Sequence, residues 1–330
     1  MIETLFHAYT PLIFWTGLGI LSFRFLPQTL PRLMGRSLYW VGVPWQIFSL
    51  ARQTDFSNQV GLAPAVTLGT LGTGLLLAWS AIQGLNFWLR QDGFQETDDR
   101  GKRLRSWLPV DRPHQGTFLI TSVLGNTGFV GLGIVPSLLN AGDMSWAVFF
   151  SVTQNLVGTY GIGVLIASYY GRSDQPNHWW LLLRDVLLVP SLWAFTIGYF
   201  TQSIPFPDLA ELAIDSSLLF VIPASFLLMG MRLSQLQGWE SLRTALIPVT
   251  LKILVLPSLV AVGTTLLGLS GDPRLSLVLM AGMPSAFASL ILAEEYNLDR
   301  DLASSSIALS TIGLLFVIPL WLSLFGGNTL

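Results

Sequence analysis

Gly125-Asn126-Thr127-Gly128-Phe129-Val130-Gly131-Leu132-Gly133, with Pro136 three residues on, and Ala281-Gly282-Met283-Pro284-Ser285 each interrupt a long apolar run. Glycine is a poor helix former and proline removes a backbone donor, so each stretch is expected to break a helix midway. The runs around them are long enough to cross about 30 Å of hydrocarbon. In lipid, an unpartnered backbone polar group costs several kcal/mol, so a break is tolerated only where it faces protein or a cavity. Two broken helices crossing near the midplane therefore imply a pocket. N–H groups freed at a half-helix start suit an anion, and carbonyls freed at a half-helix end suit a cation.

Working outward, 52% of the chain is hydrophobic and 11% charged, against about 25% charged in soluble domains. Most of the surface must face something other than water. Spans are expected at 5–25, 35–52, 62–89, 115–140, 144–170, 180–201, 209–231, 243–268, 274–295 and 302–325. This is an all-α membrane protein of ten transmembrane helices. Met1-Ile-Glu-Thr lacks the basic region of a signal peptide, so the first run is expected to stay as a permanent helix.

Charge orients the spans. One alternating set of loops holds Arg24, Arg32, Arg36, Arg90, Arg100, Lys102, Arg103, Arg105, Arg112, Arg172, Arg184, Arg232, Arg243 and Arg300, which is 14 of the 17 basic residues. The other set holds Arg52 and Arg274, and Lys252 lies inside a span. The positive-inside rule makes the first set cytoplasmic and puts both termini outside a cell (inner) membrane. That requires an even number of spans, which ten satisfies. The loop 90–114 mixes acids and bases and reads as a solvated cytoplasmic linker.

Five spans per half make the halves inverted, 1–170 and 171–330. Val43-Pro44 and Ile222-Pro223 place a mid-helix proline in the second span of each half, and the interruptions fall in the fourth span of each. Pro44, Pro136, Pro223 and Pro284 are thus the expected breaks or hinges. Paired interruptions in corresponding spans point to a binding site.

At these residues the chain resembles the auxin efflux carrier family, which includes plant PIN-type exporters and bacterial dicarboxylate permeases. The resemblance is carried by Asn126-Thr-Gly-Phe-Val-Gly-Leu-Gly133, Met283-Pro-Ser-Ala286, Ala293-Glu-Glu-Tyr296, Ser310-Thr311 and Leu251-Lys252-Ile253 with Pro257. It covers essentially the whole chain. One departure is Gly133, where the family has proline; unwinding of the fourth helix is then expected to use Gly131 and Gly133. The resemblance implies a fold similar to sodium/proton antiporters, with crossed broken helices carried by a transport domain. It likewise implies that the first, second, sixth and seventh spans form a scaffold. It also implies alternating access and monocarboxylate or dicarboxylate substrates. A polar fifth-span residue near the substrate is carried over to Gln154.

The expected substrate-binding set is Asn126, Thr127, Gly131, Gly133, Pro284, Ser285, Gln154 and Lys252. Two readings of Lys252 stand at this level: a stem that snorkels or meets a structural carbonyl, and a charge that draws in an anion. Gln154 and Asn155 equally suit helix–helix hydrogen bonding. Glu294 and Glu295 read as solvated end residues. No Asp or Glu falls at the middle of a span, which weakens any proton or sodium relay. No cofactor or metal is expected; a coupling ion, H+ or Na+, is left open. The partners expected are a small organic anion and the lipid bilayer, with no nucleic acid, and a homodimer is left open. A passive channel is the rival reading. An intramembrane enzyme is remote, because there is no Cys and His7, His114 and His178 are peripheral.

Overall fold

The computed structural model describes residues 2–53, 61–91, 111–139, 143–171, 180, 184, 186–235 and 240–326. Most of the loop 90–114 and His178 therefore lie outside the described residues. Among those described, every regular element is helical. The order is α1 (Ile2–Phe23), α2 (Leu30–Ser37), α3 (Val43–Gln53), α4 (Leu62–Gln91), α5 (Arg112–Val123), α6 (Leu132–Ile134), α7 (Met144–Thr153) and α8 (Val164–Gly171). Then come α9 (Pro190–Phe200), α10 (Asp208–Asp215), α11 (Ser217–Leu233), α12 (Glu240–Thr244), α13 (Leu246–Thr250), α14 (Leu256–Leu266), α15 (Gly271–Ala281), α16 (Phe287–Glu295) and α17 (Arg300–Phe325). Among the described residues, six helical stretches are long and apolar enough to cross a membrane: Leu5–Phe23, Leu62–Phe87, Met144–Gly171, Asp208–Leu233, Leu246–Leu266 and Arg300–Phe325. Their outward faces carry large apolar side chains such as Phe14, Leu209, Leu266 and Phe316, as a surface bathed in hydrocarbon requires.

Four π-helical stretches were not foreseen: Leu38–Gly42 joining α2 to α3, Thr127–Gly131 before α6, Gln154–Gly163 joining α7 to α8, and Leu251–Val255 joining α13 to α14. Wide turns of this kind cost hydrogen-bond geometry and gather at functional sites. Pro44 is the second residue of α3, one residue past the end of the first of them. Pro223 lies inside the continuous helix α11, because one missing N–H costs a single backbone bond that a packed helix tolerates. Pro136 sits in the 3₁₀ turn Val135–Ser137 that ends the fourth segment.

The helices pack in two groups. In one, α1 lies along α11 and α9 lies along α3. The α1–α11 contact is backbone against backbone: a Cβ at Gly19 would stand 2.1 Å from the Leu227 oxygen, and one at Gly230 would stand 2.0 Å from the Thr16 oxygen. Small residues allow this approach, and in lipid such packing drives helix association. At the end of α3, Arg52 donates to the carbonyls of Thr201 and Ile204 and pairs with Glu211 at 2.7 Å. The second group gathers α4, α5, α7, α8 and α13–α17 around the interruptions.

Replacing Gly230 by Val pushes α1 off α11, since the obstacle is a carbonyl and not a movable side chain. Overpacking of this kind costs about 1–3 kcal/mol or more. A clear fall in melting temperature in detergent or nanodiscs is the expected result.

Candidate functional site

The two interruptions meet each other. Beyond the ends of α5 and α15 the chains run antiparallel. The Asn126 N–H donates to the Pro284 oxygen at 2.7 Å and the Ala286 N–H to the Leu124 oxygen at 2.8 Å. This closes a lone β-bridge between Gly125 and Ser285. Backbone groups freed by breaking two helices thus satisfy one another, as burial away from water demands.

Three further carbonyls at the two helix ends are met by side chains. Ser285 Oγ donates to the Thr121 oxygen at 2.8 Å, and Gln154 Nε2 to the Val123 oxygen at 3.3 Å. Lys252 Nζ donates to the oxygen of Ala281, the last residue of α15. The Ser285 N–H donates to Ser310 Oγ at 3.0 Å, whose own hydroxyl returns to the Ser306 oxygen. Gln46 Nε2 reaches across from α3 to the Gly128 oxygen at 2.7 Å.

Beside the bridge lies a narrow cavity, partly open to solvent, with about 30 Å³ of space for a water-sized molecule. Gly125, Asn126 and Gly128 line it from the first break, and Ala286, Phe287 and Ala288 from the second. Gln46 and Asn155 add amides; Tyr39, Phe129 and Tyr160 add rings, with the two tyrosine rings 5.1 Å apart. The first turn of α16 has no side-chain cap, and while the Ser289 N–H donates to the Ala286 oxygen at 3.0 Å, the N–H groups of Phe287 and Ala288 lack intrahelical partners at the cavity wall. Every lining side chain is uncharged.

The expected residues divide accordingly. Asn126 lines the cavity. Pro284 serves through its carbonyl, and Ser285 and Gln154 are fully buried crossing ties outside the lining. Thr127 is also buried, and its hydroxyl finds no protein partner. Gly131 and Gly133 are packing positions, since a Cβ at either would stand 2.9 Å from Met280 or Phe226 respectively. Lys252 does not snorkel. Its ammonium stays at the α15 terminus, 3.1 Å from where a Cβ on Gly125 would be. The fifth segment offers Asn155 to the cavity in place of Gln154, both at the start of the π-helical stretch Gln154–Gly163. Its Nδ2 is held by the Ser151 oxygen at 2.9 Å. Gln46 and Tyr39 were missed altogether, although Gln46 lies two residues past the noted Pro44.

Glu294 and Glu295 do end the helix, Glu294 half-buried and Glu295 exposed, but both are ion-paired. Glu294 pairs with Arg232 at 3.1 Å and Arg32 at 3.8 Å, and Glu295 accepts from Arg36 Nε at 2.7 Å. These pairs tie the end of α16 to α2 and α11. Nearby, Asp299 caps α17 through the Leu302 N–H at 2.9 Å and meets His114 Nδ1 at 3.0 Å, joining the start of α17 to the start of α5. Partial burial alone would raise the Asp299 carboxyl. The bond to His114 and the backbone bonds from Leu302 and Asp301 outweigh that and hold it below its usual range.

The sequence of residues 101–322, more than half of the chain, matches the family model described as membrane transport protein. The chain belongs to the auxin efflux carrier family. It is a multi-pass membrane transporter and not an enzyme. An uncharacterized transporter of Methanothermobacter thermautotrophicus is 25% identical over 293 residues, 87% of each chain. Another, from Methanocaldococcus jannaschii, is 25% identical over 213 residues, 62% of this chain and 67% of its own.

In this carrier a depressed carboxyl contributes stability that is present above the unfolded-state value and lost as pH falls through the folded one. Melting temperature should therefore drop on acidification through and below the ordinary carboxylate range. Asp299→Ala should lose about 1 kcal/mol of capping at neutral pH and flatten that acid-side slope. Equal slopes in both proteins would count against the assignment.

Proposed function

We propose that this carrier moves small organic monocarboxylates with a flat apolar body across the cell membrane by alternating access. The observation that carries the proposal is the cavity at the crossing, where the uncapped start of α16 meets the amides of Asn126, Asn155 and Gln46. A helix N-terminus supplies aligned N–H donors and the positive end of a dipole, which together suit one carboxylate. Tyr39, Phe129 and Phe287 offer faces for a ring. With uncharged lining side chains, a second carboxylate would be left without a cation, so the geometry favours monoanions over dicarboxylates.

We further propose that the chain has ten spans in two inverted sets of five. Four segments fall short as continuous apolar helices for local reasons. The second (α2 with α3) carries Arg32, Arg36 and Arg52, the fourth and ninth are broken, and only part of the sixth is described. The antiparallel pairing of the two breaks supports a pseudo-twofold axis through the Gly125–Ser285 bridge. On the charge rule both termini then lie outside. The α1, α2–α3, α9 and α10–α11 group is the scaffold, and the crossed segments move against it.

Uptake of radiolabelled benzoate and succinate into proteoliposomes tests this. Benzoate uptake should saturate and exceed succinate uptake. Asn126→Ala should lower it about tenfold or more, the range for a hydrogen bond to a charged group, and Pro284→Ala should impair it by letting α15 run on. Unchanged uptake in both variants would remove the site, and flux that never saturates would favour a channel.

A further inference from the structure

Charged residues meet at one end of the seam between the two groups of helices. Arg32 and Arg36 come from α2, Arg232 from the last turn of α11, and Glu294 and Glu295 from the end of α16. Glu294 lies between two guanidinium groups, and Glu295 pairs with Arg36. The Glu294 and Arg232 side chains are only 9% and 14% exposed, whereas those of Arg36 and Glu295 are 47% and 32% exposed.

Helix periodicity fixes where these charges stand relative to the cavity. Residues three or four apart are neighbours on a helix surface. Arg36 is three residues before Tyr39, and Glu295 is four residues after Ile291; Tyr39 and Ile291 both line the cavity. The Arg36–Glu295 pair is therefore the next layer beyond the lining on both walls, on the face that the charge rule makes cytoplasmic. Gly35 of α2 lies against the same place: a Cβ on it would stand 3.6 Å from the Phe287 ring and 3.9 Å from Arg232 Nη2. Nearer the bridge the two groups also meet through neutral contacts, from Gln46 to the Gly128 oxygen and from Thr311 to Met229 Sδ at 3.4 Å.

We propose that Arg32, Arg36, Arg232, Glu294 and Glu295 form a latch that holds the crossed segments against the scaffold with the cavity on the cytoplasmic side, and that opens each time the segments slide. The inference rests on the proposed alternating access and deepens it by naming a contact that regulates it. Ion pairs suit this task because they depend on register. A slip of one helical turn, about 5 Å, parts each carboxylate from its guanidinium. Exposed pairs contribute little individually, so the contact can open during transport, unlike the backbone-to-backbone packing of α1 on α11. The more buried Glu294–Arg232 pair biases the equilibrium, since leaving this register strips each partner of its counter-charge.

The chain contains no cysteine, so introduced thiols report alone. In the intact chain in proteoliposomes, Ile291→Cys is labelled with a membrane-impermeant maleimide applied from either face. The ratio of cytoplasmic-side to outer-side labelling reads which way the cavity faces, with no substrate present. Adding Glu295→Gln, which removes one charge from the exposed pair, should lower that ratio about fivefold, the lower end of typical coupling energies. Arg36→Gln should lower it equally and covers the case in which Glu295→Gln does not fold. The two together should do no more than either alone, because both remove the same pair. An unchanged ratio in both single variants, or falls that simply multiply, would overturn the latch. As a second reading, Arg36→Cys with Glu295→Cys is joined by a short bifunctional thiol reagent. Joining should stop exchange of internal for external benzoate, while either single cysteine variant treated in the same way keeps exchanging. Exchange that continues through the cross-link overturns the latch and leaves the carboxylate reading intact. If benzoate moves in no variant but the labelling ratio shifts as stated, the carboxylate reading falls and the latch stands.

Discussion

Two backbone hydrogen bonds, Asn126 to Pro284 and Ala286 to Leu124, are the constraint on which the rest of the molecule depends. A helix buried in lipid cannot stop midway unless its freed groups find partners. Here each broken helix is the other's partner. That requirement brings the breaks to one depth, makes them antiparallel and leaves no room for large side chains between them. Ser285, Ser310, Gln154 and Lys252 then complete a set of ties around the bridge. The cavity is what remains on the side where the start of α16 has no cap.

Much of this was legible in the residues. The interruptions at Gly125–Gly133 and Gly282–Ser285 announced themselves by glycine, proline and amide side chains inside apolar runs, a signal that needs no tertiary information. Asn126 was reachable for the same reason. Gln154 and Asn155 were not separable, because a helix of ordinary pitch and a π-helical one place neighbouring residues on different faces, and nothing in the local composition reveals the wider turn. Lys252 stood out as an intramembrane charge, but its partner is a backbone carbonyl and leaves no trace in residue identity. Pro223 shows the opposite failure. A residue with strong local meaning was overruled by the packing of a long helix.

Glu294 and Glu295 illustrate how a helix end is read differently in one dimension and in three. Alone they look like water-facing punctuation. In the fold they face Arg32, Arg36 and Arg232, brought from α2 and α11, so that charges far apart in the chain are spent on each other. Exposed pairs of this type are individually weak. Their interest lies in where they fall, since they are the polar contacts between the half-helix α16 and the opposite group of helices at that end.

The cavity has walls from both groups. Gln46 and Tyr39 come from one, while Asn126, Asn155 and Phe287 come from the other. If the protein works by the proposed alternating access, cargo small enough to rest on the α16 side would travel with that wall and give up little as the seam slides. A longer molecule that gripped Gln46 as well would stitch the walls together, and the protein would seize with its passenger aboard. Molecular length would then separate what is carried from what jams, since the same amides would hold both.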